Sequence, residues 1–176
     1  MDMIILGLLL FRGRTIYELR ARFAEGLYMM YSSSMGSIQA AVKKLLAGGY
    51  IECVERVENG KFKKVYEITQ SGREAFSVWV NSPFEAAQNK SPELAKLYFM
   101  GLSEGKERAA RVREHIEKLR ESHAALELVC RQGEEAEAPP ELAELLEYQL
   151  KTAQFGRDMV AFQIEWFTKL ATELEG

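Results

Sequence analysis

Cysteine, histidine and proline are scarce in this 176-residue chain, which has two, two and four of them. Cys53 and Cys130 lie far apart with no C-x-x-C spacing, which points to a reducing compartment rather than a disulfide-stapled secreted domain. His115 and His123 are eight residues apart on what reads as one long helix. They share a face but are too distant for one metal ion, so no metal and no cofactor are expected. The sequence has no H-E-x-x-H, no phosphate-cradling glycine loop and no nucleophile elbow, which removes the common grounds for an enzyme. The apolar run Ile4-Ile5-Leu6-Gly7-Leu8-Leu9-Leu10-Phe11 is far short of the about 20 residues that span a bilayer. It follows Asp2 rather than a basic region and no small-residue cleavage site comes after it, so it reads as a buried first helix. The expectation is a cytoplasmic protein with no membrane partner.

What is present is an ordinary soluble composition, 47% hydrophobic and 28% charged, with a net charge of -3. The charge is unevenly placed. Residues 1–90 carry 12 Lys+Arg against 9 Asp+Glu, or +3, and residues 91–176 carry 11 against 17, or -6. A basic front and an acidic back suit a protein that meets a polyanion with one end only.

The most informative stretch runs from Ser33 to Ile51. Ser34 is placed as an N-cap, Ile38, Val42, Leu45 and Leu46 form one apolar stripe, and Gly48-Gly49 stops the helix. On the opposite side Gly36 and Ala40 have almost no side chain and are bordered by Ser37, Gln39, Lys43 and Lys44. Such a face can approach a DNA major groove closely; it is equally the pattern of a surface helix with solvated lysines. Tyr50–Val57 and Phe62–Thr69 read as strands joined at Asn59-Gly60, a tight-hairpin signal, with Lys61, Lys63 and Lys64 near the tip. Helix, glycine stop and basic hairpin, in that order, make a winged helix-turn-helix whose hairpin lies on phosphates beside the groove.

Around that core, Thr15-Ile16-Tyr17-Glu18 reads as a capping box opening a helix to about Leu27, with Tyr17 and Arg20 where a crossing helix meets the DNA backbone. Tyr17 also reads as a half-buried packing residue. Thr69-Gln70-Ser71-Gly72 opens a helix holding Phe76, Trp79 and Val80, and Ser91-Pro92-Glu93-Leu94 opens another. From about 106 to 131, Ala109, Val112, Ile116, Leu119, His123, Leu126 and Cys130 alternate three and four apart, the seam of a coiled coil. An acidic, proline-ended loop separates this helix from a last one, about 141–174, which gathers Leu150, Phe155, Met159, Phe162, Trp166 and Phe167. So much apolar surface on a helical pair needs a cover, and a second copy is the simplest. The expected fold class is mainly α with a small β-hairpin wing. Residues 1–82 form the winged helix-turn-helix and 91–176 the helical dimerisation region, with Val112, Ile116, Leu119, His123, Leu126, Phe155, Met159, Phe162 and Trp166 at the interface.

The chain resembles the PadR-family transcriptional regulators, in the branch whose C-terminal helices are like those of virulence-gene activators. The resemblance is carried by Ile5-Leu6-Gly7-Leu8-Leu9, Tyr17-Glu18-Leu19, Ser34-Met35-Gly36-Ser37-Ile38, Leu45, Gly49-Tyr50-Ile51, Lys64-Val65-Tyr66, Ile68-Thr69, Gly72 and Trp79. It covers the first half in register; the second half matches in length, helicity and apolar content. Ile16 stands where the family usually has glycine, Gln39-Ala40 where it has Tyr-Pro, and the proline common at the wing tip is replaced near Phe62. The second departure alters the groove-facing surface, so no operator preference carries over. The resemblance implies a homodimer on double-stranded DNA, usually a repressor, in a family where some members respond to a small aromatic effector. Phe155, Phe162 and Trp166 would line such a pocket, or are plain core.

For a sequence-specific regulator, Ser34, Ser37 and Gln39 are expected at base edges. Arg14, Lys43, Lys44, Lys61, Lys63 and Lys64 are expected on phosphates, with Tyr17 beside the backbone. The other reading is a winged helix used for protein contact, with the acidic half as the interaction surface.

Overall fold

The computed structural model describes residues 1–24, 34–58, 61–84 and 92–176, leaving out the side chains of Glu58 and Lys61. The chain is mainly α with one antiparallel hairpin, and divides into two compact units, Met1–Ala87 and Gln88–Gly176.

In the first unit, α1 (Asp2–Leu9) buries Ile5, Leu6 and Leu9. α2 (Ile16–Arg22) starts with the expected capping box. The Glu18 N–H donates to Thr15 Oγ1 at 3.2 Å, and the Thr15 N–H donates to Glu18 Oε2 at 2.7 Å. That backbone hydrogen bond holds the Glu18 carboxyl below the usual glutamate pKa, although partial burial pushes the other way. The expected continuation of this helix to Leu27, and the connection to Ser33, fall outside the described residues beyond Ala24. α3 (Met35–Ala47) buries Ile38, Ala41, Val42 and Leu45 on one side. It closes in a Schellman motif: the Tyr50 N–H donates to Leu45 O and the Gly49 N–H to Leu46 O, both at 3.0 Å, with Gly49 at φ 70°.

β1 (Ile51–Glu58) and β2 (Lys61–Ile68) pair antiparallel, with Ile51 opposite Ile68 and Val57 opposite Phe62. The Asn59-Gly60 turn expected between them lies outside the described residues. α4 (Gln70–Val80) is capped by Thr69, whose Oγ1 accepts from the Gly72 N–H and donates to Gly49 O at 2.7 Å. A Cβ on Gly72 would lie 2.1 Å from the Tyr50 carbonyl oxygen, so only glycine lets α4 start there. Leu19, Phe23, Ile38, Tyr66 and the buried faces of α1 and α3 make one core. Burying each such side chain is worth about 1.5–3 kcal/mol.

In the second unit, α5 (Pro92–Tyr98) and a 3-10 turn (Met100–Leu102) precede α6 (Gly105–Glu135) and α7 (Ala143–Glu173). α6 runs four residues past the expected Arg131, because Gly133 packs against Leu150 and continues the helix–helix contact. α6 and α7 pack antiparallel. Arg113 forks onto Glu175 at 2.7 and 2.6 Å at one end, and Gln154 Nε2 donates to Glu134 Oε1 at 3.5 Å at the other. Val112, Ile116, Leu119 and Leu126 of α6 meet Val160, Phe167 and Ala171 of α7. The α6 seam, expected at the dimer interface, is packed within the single chain against α7. Those four residues are 3–9% exposed because their own chain's last helix covers them. No helix among the described residues is long and apolar enough to cross a membrane.

Candidate nucleic-acid interface

α3 is amphipathic about its own axis, and the side away from the core is bare. Gly36, Gln39, Ala40 and Lys43 are all exposed. Of the two serines expected at base edges, both hydroxyls are tied up at the helix start. Ser34 Oγ accepts the Ser37 N–H at 3.1 Å and donates to Ser37 Oγ at 3.0 Å, while Ser37 Oγ donates to Ser34 O at 2.8 Å. They cap the helix first. Lys44 points back to α1, where Nζ meets Asp2 Oδ2 at 2.7 Å, and this hydrogen bond holds its pKa above the usual lysine value.

Arg14 requires a correction of a different kind. It is 7% exposed; its Nε donates to Leu8 O at 3.2 Å, and its backbone exchanges two hydrogen bonds with Tyr66, at 3.0 and 2.8 Å. Burial, then the nearby positive charges of Arg12 and Arg22, push its pKa down. Arg14 forms an isolated antiparallel bridge to β2 at Tyr66 instead of standing on the surface. The cations beside it are Arg12 and Arg22, both exposed, neither of them among the sequence candidates. Arg12 also lies 3.6 Å from Glu18. Tyr17 is 76% exposed, so it is not the half-buried packing residue of the other reading.

The hairpin is less basic than its three lysines suggest. In register, Lys64 faces Glu55 and Lys61 faces Glu58, whereas Lys63 faces Arg56. Over residues 51–68 the count is four cations (Arg56, Lys61, Lys63, Lys64) against four anions (Glu52, Glu55, Glu58, Glu67). Arg56 is further paired with Glu67. Lys63 and Lys64 are exposed, and the Lys61 side chain lies outside the described residues. Beside them Val57 and Phe62, 64% and 82% exposed, form an apolar cross-strand pair that sequence reasoning passed over. Their alternation with charged neighbours was the available signal.

In the second unit, Phe155, Met159, Phe162 and Trp166 form an exposed stripe on α7, with Phe155 and Phe162 at 69% and 60%. Tyr148 extends it, seven residues before Phe155. Phe155, Phe162 and Trp166 all lie open on this stripe, Trp166 at 41%. The small cavity of about 110 Å³ in this unit is lined by Arg113, Ile116, Arg120 and Thr168, among others, and by none of the three aromatics. His123 is partly exposed, 3.9 Å from Glu127 on its own helix. Among the described residues no group of three His, Cys, Asp or Glu could hold a metal ion.

Three helices with the third standing clear beside a two-stranded hairpin define a winged helix-turn-helix. Residues 5–78 match the Transcriptional regulator PadR-like family. No curated protein matches the chain in sequence. In structure it is similar to Bacillus subtilis PadR in complex with operator DNA, with 20% identity over 98% of each chain and a TM-score of 0.78. The virulence activator AphA of Vibrio cholerae is also similar, with 21% identity over 99% of this chain and 97% of that one and a TM-score of 0.75. So is Bacillus subtilis PadR in complex with p-coumaric acid, with 18% identity over 99% and 98% and a TM-score of 0.75. At these identities the likeness establishes the fold.

Proposed function

We propose that the protein is a homodimeric, sequence-specific DNA-binding regulator that represses transcription from an inverted-repeat operator in the cytoplasm. The observation that carries this reading is the two-sidedness of α3: Ile38, Ala41, Val42 and Leu45 are buried, while Gly36, Gln39, Ala40 and Lys43 are exposed. A helix held by one face with the other left narrow and uncharged except for Lys43 suits entry into a major groove. Tyr17, Lys63 and Lys64, with Arg12 and Arg22, supply the flanking backbone contacts. The dimer forms through the α7 stripe from Tyr148 to Trp166, where aromatic side chains recur seven apart and are left uncovered by α6. Two joined heads then read half-sites about one helical turn, or a multiple of it, apart. Dimer and DNA interface together fit residues 1–82 and 91–176 as the working domains. Repression follows from occupancy, since a dimer seated over a promoter excludes polymerase. A small aromatic effector, of the kind crystallised with the Bacillus subtilis neighbour, would bind between Phe155, Phe162 and Trp166 only where a second copy closes the stripe.

Anisotropy titration with DNA from upstream of its own gene tests the reading. Affinity should fall on the order of 10³-fold or more between 50 and 200 mM salt. Lys63→Ala should shallow that slope, and Gln39→Ala should chiefly relax sequence preference. Absence of any complex at 50 mM salt with folded dimer rejects it. The balanced charge of the hairpin favours a second reading, a protein-contact module; binding of a protein partner unaffected by loss of Lys63 and Lys64 would support that one instead.

A further inference from the structure

We propose, building on the DNA-binding reading above, that Gln39 and Ala40 act together as an A·T reader. The Gln39 amide pairs with an adenine, and the Ala40 methyl packs on the 5-methyl of a thymine beside it. The polar groups that α3 presents are fewer than its sequence suggests. Ser34 and Ser37 are hydrogen-bonded to one another and to the helix start, and Lys44 is held by Asp2. Gln39 and Lys43 remain on the outward side. The helix Met35–Ala47 contains no arginine and no carboxylate to accept from cytosine, which leaves Lys43 as its one outward partner for guanine or phosphate. Glutamine is the side chain that matches the donor and acceptor of adenine, and a bare methyl is the group that matches thymine.

The alanine methyl is Cβ itself and reaches only a short way, so the helix axis must come close to the bases. Gly36, one turn earlier on the same side, makes room. Four of the described glycines of this unit sit tightly against neighbours: a Cβ would fall within 3 Å of side-chain atoms at Gly7, Gly13 and Gly48 and of the Tyr50 backbone at Gly72. Gly49 is required by its φ of 70°. At Gly36 an added Cβ would meet nothing nearer than Ser34 Oγ at 4.0 Å. Glycine inside a helix is destabilising relative to alanine, and nothing among the described residues of this unit asks for it at that position. A close-lying ligand does.

The experiment starts with selection of binding sites from random duplexes by the full-length protein. Each thymine of the enriched half-site is then replaced by deoxyuridine, which removes only the methyl. One such replacement, made in a single half-site, should weaken wild-type binding about four-fold, the transfer value of a buried methyl-sized group. Ala40→Gly, confirmed folded by its melting curve, should bind more weakly and show no further loss on that replacement. Gln39→Ala should lose preference at the neighbouring adenine by roughly ten-fold or more. Gly36→Ala should melt no lower than wild type yet bind more weakly. Enriched sites that are indifferent to deoxyuridine overturn the proposal, as does a penalty that persists in Ala40→Gly or a Gly36→Ala variant that binds as wild type. In those cases DNA binding itself still stands. If no sequence is enriched and no complex forms at low salt, the reading beneath it falls as well.

Discussion

The two units bury their helices to different degrees. α3, with 13 residues, buries four of them and leaves outward side chains that are small or polar. α7, with 31 residues, buries only Val160, Phe167 and Ala171, and leaves Phe155, Phe162 and Trp166 in the open. The head is thus complete as a single copy, whereas the helical pair is covered along one side only. An uncovered polar face invites a polar ligand such as DNA, and an uncovered aromatic face invites an apolar one. The same secondary structure presents two kinds of surface because its outward residues differ.

Substitutions can break this contrast at either end. The largest effect is expected from Gly72→Ala, which drives a methyl into the Tyr50 carbonyl. The loss in head stability should exceed about 3 kcal/mol, because backbone cannot yield as a flexible side chain does. Differential scanning calorimetry would check it, and a melt like that of wild type would contradict the packing described. Ile116→Ala should cost about 3 kcal/mol by emptying the seam between α6 and α7, measured by urea unfolding. Phe162→Asp, by contrast, should leave the helices folded. It should raise the dimer dissociation constant by roughly 30-fold or more in sedimentation equilibrium. If Ile116→Ala abolished association while Phe162→Asp left it intact, the two faces of the helical pair would have been assigned the wrong way round.

Smaller effects sharpen the description of the head. Thr15→Ala removes the α2 cap and should destabilise by about 1 kcal/mol in denaturant titration. The pH dependence of that cap follows from Glu18. Folding lowers its pKa, so its contribution is complete above the ordinary glutamate value, about 4.3, and fades as the pH falls through and below it. The stability gap between wild type and Glu18→Gln should therefore narrow as pH is lowered from 7 to 3. A gap that widens with acid would mean the carboxylate is not the cap's acceptor.

Local features were legible in the sequence because their causes are local. The capping box at Thr15 and Glu18, the glycine stop at Gly48-Gly49 and the cap at Thr69 each depend on neighbours a few residues away, and each formed as read. The α6 seam was legible as a buried face. Spacing, however, says that Val112, Ile116, Leu119 and Leu126 seek cover without saying whose. Arg14 was misjudged because its backbone pairs with Tyr66, a partner 52 positions later by residue number. The hairpin's charge was misjudged for a similar reason, since only the register sets Lys64 against Glu55. Ser34 and Ser37 were read for what their hydroxyls offer outward, when the free N–H groups at the start of α3 had the first claim on them.

The contact between Thr69 and Gly49, with α4 seated on Tyr50, ties the end of the third helix, the root of the hairpin and the next helix to a single point. Pivoting one without the others would tear all of these bonds together. A force on this part of the head would carry the three elements together rather than reshape any one of them.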